Sequence, residues 1–224
     1  MNQPAPADHS VVHLVRHGEV NNPEGILYGR LQGYGLTERG HLMAERIAEY
    51  FADKPITHLA TSPLDRARQT MAPIAKRFPH LEVLEQPLVI EAANDFEGEV
   101  FGRGNKALRN PRHWWRLRNP LLPSWGEPYA EVATRMEWAI QTAATAAGDG
   151  EAVVVTHQLP IWVARRHAEG RRLFHDPRKR ECSLASVTSF HLVNGRIVKV
   201  TYAEPALDLI PVKDRRMNFS QGGA

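Results

Sequence analysis

The chain has 224 residues, with 28 Lys and Arg against 25 Asp and Glu, and a formal net charge of +3 when its 11 histidines are neutral. That length suits one large α/β domain with a full core, and so small an excess of positive charge gives no reason to expect a nucleic-acid partner. The single cysteine, Cys182, rules out an internal disulfide and points to a reducing compartment.

Met1–Ser10 is polar and rich in Pro and Ala, without the apolar centre of a signal peptide. No later apolar run approaches the roughly 18 residues of a membrane-spanning helix. No membrane association is expected, and the expected location is cytoplasmic. Val11–Val15 reads as the first strand, ending in Arg16-His17-Gly18. Thr37 reads as an N-cap, after which Ala44, Ile47, Ala48 and Phe51 share one helix face. Thr57–Thr61 is a second short strand. Ser62 is expected to cap the next helix, with Pro63 at its first position. Leu64, Ala67, Met71, Ile74 and Phe78 line that helix, and Pro73 is expected to kink or end it. Glu82–Leu84 is a third strand.

From Glu99 to Pro128 the regular pattern breaks down into a Trp-, Arg- and Pro-rich stretch. It reads as an insertion packed over the carboxyl edge of the sheet. Tyr129–Ala147 is the longest helix, stopped by Gly148. Ala152–Thr156 is an unbroken apolar strand, as a central parallel strand should be. Leu159–Glu169 is a helix ending at Gly170. Val187–Val193 and Arg196–Tyr202, joined by Asn194-Gly195, form an antiparallel hairpin with a type I′ turn, expected at one sheet edge. Asp208–Ala224 is polar and expected to fray. The alternation of strands and helices predicts a single α/β domain over residues 1–224, a three-layer α/β/α sandwich on a mainly parallel sheet with an antiparallel edge hairpin.

Four segments end in chemically loaded residues: Arg16-His17 after the first strand, Ser62 to Thr70 after the second, Glu91 after the apolar run Leu88–Ile90, and Thr156-His157 after the central strand. Ligands of open α/β sheets gather outside the carboxyl ends of the strands. Such a fold can bring together two histidines, two arginines and one carboxylate. Guanidinium forks suit phosphate oxygens, an imidazole can act as a nucleophile, and a buried carboxylic acid can protonate a leaving group. His17 would need its second nitrogen to donate to a backbone carbonyl, and His157 would act as a cationic donor to phosphate. His13 and His17 are four residues apart, about 13 Å on a strand, so they are not expected to pair on a metal.

Taken in order, these motifs resemble the histidine phosphatase superfamily, in its phosphoglycerate mutase-like branch. The resemblance runs from Val12 to Tyr202. It rests on Arg16-His17-Gly18-Glu19, Leu36-Thr37-x-x-Gly40, Ser62-Pro63-Leu64-x-Arg66-Ala67-x-x-Thr70, Glu91 with Phe96-Glu97-Gly98, Gly126-Glu127, and Thr156-His157. It implies that His17 is the nucleophile that becomes phosphorylated, that Arg16, Arg66 and His157 clamp the phosphate, and that Glu91 is the proton donor and later the base for water. Gly29 and Arg30 fall where the family's substrate-side loop contacts phosphate. Two positions depart from the pattern. The family's Asn six residues after the nucleophile is Pro23 here, and Asn21 or Asn22 is left to replace it. The Gly after the second His is Gln158, which either lines the pocket or begins the helix. Arg178-Lys179-Arg180 reads as a solvated run, on a loop that could reach the site.

The activity implied is a metal-independent, cofactor-free phosphomonoester hydrolase acting on a small phosphorylated metabolite, as a monomer or homodimer. One alternative is a phosphoglycerate mutase-type phosphotransferase. The stretch between Glu91 and His157 is shorter than in the family's cofactor-dependent mutases, which favours hydrolysis. A second alternative is a non-catalytic phospho-ligand-binding module, which would be expected to lack His17 or Glu91.

Overall fold

The computed structural model describes residues 9–100 and 126–212. A six-stranded sheet in the order β3-β2-β4-β1-β5-β6 forms the middle layer. Its strands are β1 (His9–Arg16), β2 (Ile56–Thr61), β3 (Val83–Glu85), β4 (Glu151–Thr156), β5 (Val187–Val193) and β6 (Arg196–Ala203). β1, β4, β2 and β3 run parallel, and the β5–β6 hairpin adds an antiparallel edge. Asn194 and Gly195 both have positive φ, at 49° and 73°, as a type I′ turn requires.

The four helices are α1 (Glu38–Tyr50), α2 (Asp65–Arg77), α3 (Tyr129–Ala147) and α4 (Gln158–Ala168). The alternation of β4 sorts them. Ala152 and Val154 face a core with Val132, Met136 and Ile140 of α3 and Val163 of α4. Val153 and Val155 face the opposite core, with Met43 and Ile47 of α1 and Met71 and Ile74 of α2. Each buried Val, Ile or Met among them contributes on the order of 1.5–3 kcal/mol. The strand that reads as continuously apolar is therefore covered on both faces.

Several local expectations are corrected. Ser62 does not cap α2: the cap position is Leu64, which makes no side-chain bond, and the Ser62 hydroxyl is taken up elsewhere. Pro73 lies inside α2 and is buried, and the helix continues to Arg77. Met71 and Ile74 on either side are anchored in the core, and their burial offsets the hydrogen bond that proline forgoes. The run before Glu91 is no strand; Pro87–Val89 forms a 3-10 turn capped by Gln86, whose Oε1 accepts from Leu88 N at 3.1 Å.

The polar tail does not fray from Asp208. Leu207–Leu209 is a 3-10 turn, Ile210 packs into the α1/α2 core, and Asp208 pairs with Arg46 at 3.2 Å. Residues 101–125, most of the expected insertion, and residues 213–224 lie outside the described residues. No described helix is long and apolar enough to cross a membrane.

Candidate active site

β1 and β4 are adjacent and parallel, with Arg16 opposite Thr156. The strands end level, so His17 and His157 emerge side by side, their ring centroids 5.2 Å apart. The turn after β1 passes very close to the start of α1. A Cβ on Gly18 would meet Gly40 O at 2.6 Å, and one on Gly40 would meet Glu19 O at 2.2 Å. Gly18 N donates to Thr70 Oγ1 at 3.1 Å, which ties the turn to α2.

His17 is 2 % exposed. Its Nδ1 donates to Gly18 O at 2.8 Å, so Nε2 keeps its lone pair. Burial foremost, then the Arg66 and Arg16 guanidiniums, hold its pKa well below the usual histidine range, and the ring is neutral. Arg16 closes β1 and donates from Nη1 to Cys182 O at 2.6 Å. Arg66 stands in the first turn of α2, donates from Nη2 to Gly29 O at 2.6 Å, and lies 4.7 Å over the ring of the buried Tyr28. Arg16 Nε and Nη2, Arg66 Nε and His157 Nδ1 are all buried without a hydrogen-bond partner among the described residues. Unpaired buried donors are costly, and these four belong to three residues beside or acting on one neutral imidazole.

His157 Nε2 lies 2.7 Å from Ser62 Oγ. Burial first, then Arg66 and His17, push its pKa well below the usual range. Burial and the neighbouring charges thus oppose the cationic form that the sequence reading expects of His157. When Ser62 donates to Nε2, the neutral ring carries its proton on Nδ1, the nitrogen with no other partner. Glu91 is 2 % exposed, and its Oε1 accepts from Ala92 N at 2.9 Å. Burial raises its pKa, against the pull of that bond and of Arg66, Arg180 and Arg135.

The remaining expected site residues hold loops. Asn22 spends both ends of its amide on the backbone of Ile26, donating to its O at 2.8 Å and accepting from its N at 3.0 Å. Gly29 has φ +37°, and a Cβ there would collide with Glu97. Arg30 donates to Glu91 O at 2.7 Å and pairs with Glu127 at 2.8 Å, so its charge is already answered by protein. Gln158 both begins α4 and is buried, donating to Cys182 O at 3.3 Å. His13, away from this cluster, bonds Ser189 Oγ and Glu151. Among the described residues no three His, Cys, Asp or Glu side chains gather as a metal site.

Sequence reasoning missed Ser62, Glu127 and Arg135 as members of the site, and it read Arg180 as part of a solvated run on a loop that could reach the site. Arg180 is 3 % exposed, bonds His175 Nε2 at 3.0 Å and acts on Glu91. Its neighbour Arg178 is exposed and pairs with Asp176. Nothing in the run itself separates the two. For Glu127 a signal existed, because it belongs to the Gly126-Glu127 motif.

The sheet, its antiparallel edge and the paired histidines at the ends of β1 and β4 make this a phosphoglycerate mutase-like α/β fold. The family model of the histidine phosphatase superfamily (branch 1) matches residues 12–205. The chain belongs to that superfamily. It is 51 % identical over 195 residues to the uncharacterized protein Rv0525 of Mycobacterium tuberculosis, covering 87 % of this chain and 96 % of the relative. It is 31 % identical over 221 residues to a probable phosphoglycerate mutase, GpmB, of Photorhabdus laumondii, covering 88 % and 97 %. In structure it is similar to a mycobacterial glucosyl-3-phosphoglycerate phosphatase, with a TM-score of 0.69 at 20 % identity over 88 % of this chain and 98 % of that one.

Proposed function

We propose that this protein is a phosphomonoester hydrolase that works through a phosphohistidine on His17, without a metal or cofactor, on a small phosphorylated metabolite in the cytoplasm. The observation that carries the reading is the state of His17. Its Nδ1–H is held by Gly18 O, its ring is kept neutral by burial and two guanidiniums, and its Nε2 lone pair is left for phosphorus.

The substrate phosphoryl group takes up the donors of Arg16, Arg66 and His157. Phosphoryl transfer depends mostly on positioning and on neutralising charge on the equatorial oxygens. His17 Nε2 forms a bond to phosphorus as the ester P–O bond breaks. Glu91, protonated in its dry setting, gives its proton to the departing oxygen. The resulting carboxylate then takes a proton from water as that water attacks phosphorus. The P–N bond breaks, inorganic phosphate leaves, and both residues return to their starting states.

The test is release of phosphate from nitrophenyl phosphate in the presence of a chelator. Turnover by the wild-type protein, lost in His17→Ala, is the expected result. Absence of turnover, or turnover unchanged in His17→Ala, would contradict the reading. A phosphotransferase of the mutase type would instead conserve total phosphate ester and need a bisphosphorylated primer. A binding module would retain phosphate affinity without turnover.

A further inference from the structure

Glu91 lies beyond the short 3-10 turn Pro87–Val89, outside any strand or longer helix. Its stretch of backbone therefore needs partners from elsewhere, and side chains supply them. Arg135 Nη1 donates to Leu88 O, and to Ile90 O at 2.9 Å. Thr156 Oγ1 donates to Val89 O at 2.5 Å. Arg30 Nε donates to Glu91 O at 2.7 Å. Two of these three side chains meet on one carboxylate. Glu127 Oε2 accepts from Arg30 Nη2 at 2.8 Å, while Arg135 Nε and Nη2 reach Glu127 Oε1 and Oε2 at 2.7 and 3.1 Å. The backbone of Glu127 joins in as well, its N–H donating to Ala93 O at 3.0 Å. The side chains of Glu127 and Arg135 are each 13 % exposed.

We infer that Glu127 is a positioning residue for Glu91: by binding Arg30 and Arg135 at once, it fixes the carbonyls on both sides of the general acid and offsets part of the positive charge of the two guanidiniums that do the fixing. The inference rests on the reading of Glu91 as the proton donor. Charge matters as much as geometry. Arg66 from α2, Arg135 from α3 and Arg180 from the segment before β5 all act on the Glu91 carboxyl, with Tyr28 and Cys182 also facing it. Arg30 touches its carbonyl. Removing the Glu127 charge leaves Arg30 and Arg135 unanswered beside a group that must keep its proton. Glu91 then ionises at lower pH and is also less well aimed.

The experiment compares kcat/KM of full-length wild-type protein, Glu127→Gln and Glu91→Gln on nitrophenyl phosphate and on phenyl phosphate, whose leaving group is the poorer one, across pH. The loss in Glu127→Gln should be larger on phenyl phosphate by about tenfold or more, within the range that general acid catalysis supplies. The alkaline limb of its phenyl phosphate profile should move to lower pH. Equal losses on both substrates with an unmoved limb, while Glu91→Gln is selective, would overturn the role of Glu127 alone. An unselective Glu91→Gln would instead remove the acid role itself, and this inference with it. Should Glu127→Gln fail to fold, Arg30→Gln, at a side chain 35 % exposed, is read by leaving-group selectivity alone, since it removes a positive charge rather than a negative one: a selective loss supports the inference, and an equal or absent loss overturns it.

Discussion

At the scale of residues, Glu91 shows what the site costs the fold. Its carboxyl ionises near 4.5 in a solvated chain, and burial raises that value in the folded protein. A raised carboxyl pKa means that the contribution to stability is complete below the unfolded value and is lost as pH rises through the folded one. Glu91→Gln should therefore melt at the same temperature as wild type near pH 4 and at a higher one near pH 8. Thermal melts at the two pH values check this; a variant no more stable at pH 8 would mean that Glu91 is comfortably ionised in the fold. The two histidines of the candidate site were legible because each follows an element whose end the sequence marks: His17 after Val11–Val15, His157 after Ala152–Thr156. What charge state they hold was not legible. The lowered pKa of His157 follows first from its burial and then from charges such as Arg66 brought near it, a fact of tertiary packing. The fates of Arg178 and Arg180, one exposed and one buried, likewise depend on a fold that brings Glu91 and Arg16 to the second of them.

At the scale of elements, α1 is tied to the turn that follows His17. Thr37 Oγ1 accepts from Gly40 N at 2.9 Å and donates to Glu19 Oε2 at 2.7 Å, so one hydroxyl both caps α1 and ties it to the turn after His17. Thr37→Ala should cost about 1 kcal/mol, a fall in Tm of about 2–4 °C for a domain of this size. An unchanged Tm would show that the cap is replaced by solvent. The helix start at Thr37 was readable, because capping chemistry is local. The reason for Gly40 was not: it is the approach of the Gly18–Glu19 turn, which no local pattern reveals. Ser62 misled for the complementary reason. Its sequence context is that of a cap, yet His157, which arrives from β4, offers its hydroxyl a 2.7 Å bond. Leu88–Ile90 carried the apolar composition of a strand, but Pro87 and the Gln86 side chain turn it into a 3-10 segment.

At the scale of the whole molecule, the candidate site follows from strand order. β4 arrives from far along the chain and inserts between β2 and β1, which sets His157 beside His17 and Ser62 within reach of His157. The central place of β4 was legible in its unbroken Val153–Val155 run, since only a strand covered on both faces can be apolar throughout. Its two neighbours were not, because strand pairing depends on crossovers that composition does not encode. The edge hairpin was legible from Asn194-Gly195 between the runs Val187–Val193 and Arg196–Tyr202. Everything in the proposed mechanism depends on the imidazole that this order places among the guanidiniums. The direct measurement is to mix the protein with labelled nitrophenyl phosphate, quench in alkaline denaturant, digest, and locate the label by mass spectrometry. The account predicts label on His17, stable in base and lost in acid, and absent from His17→Ala. Turnover with the label on another residue, or with no labelled protein while His17→Ala still turns over, would contradict it.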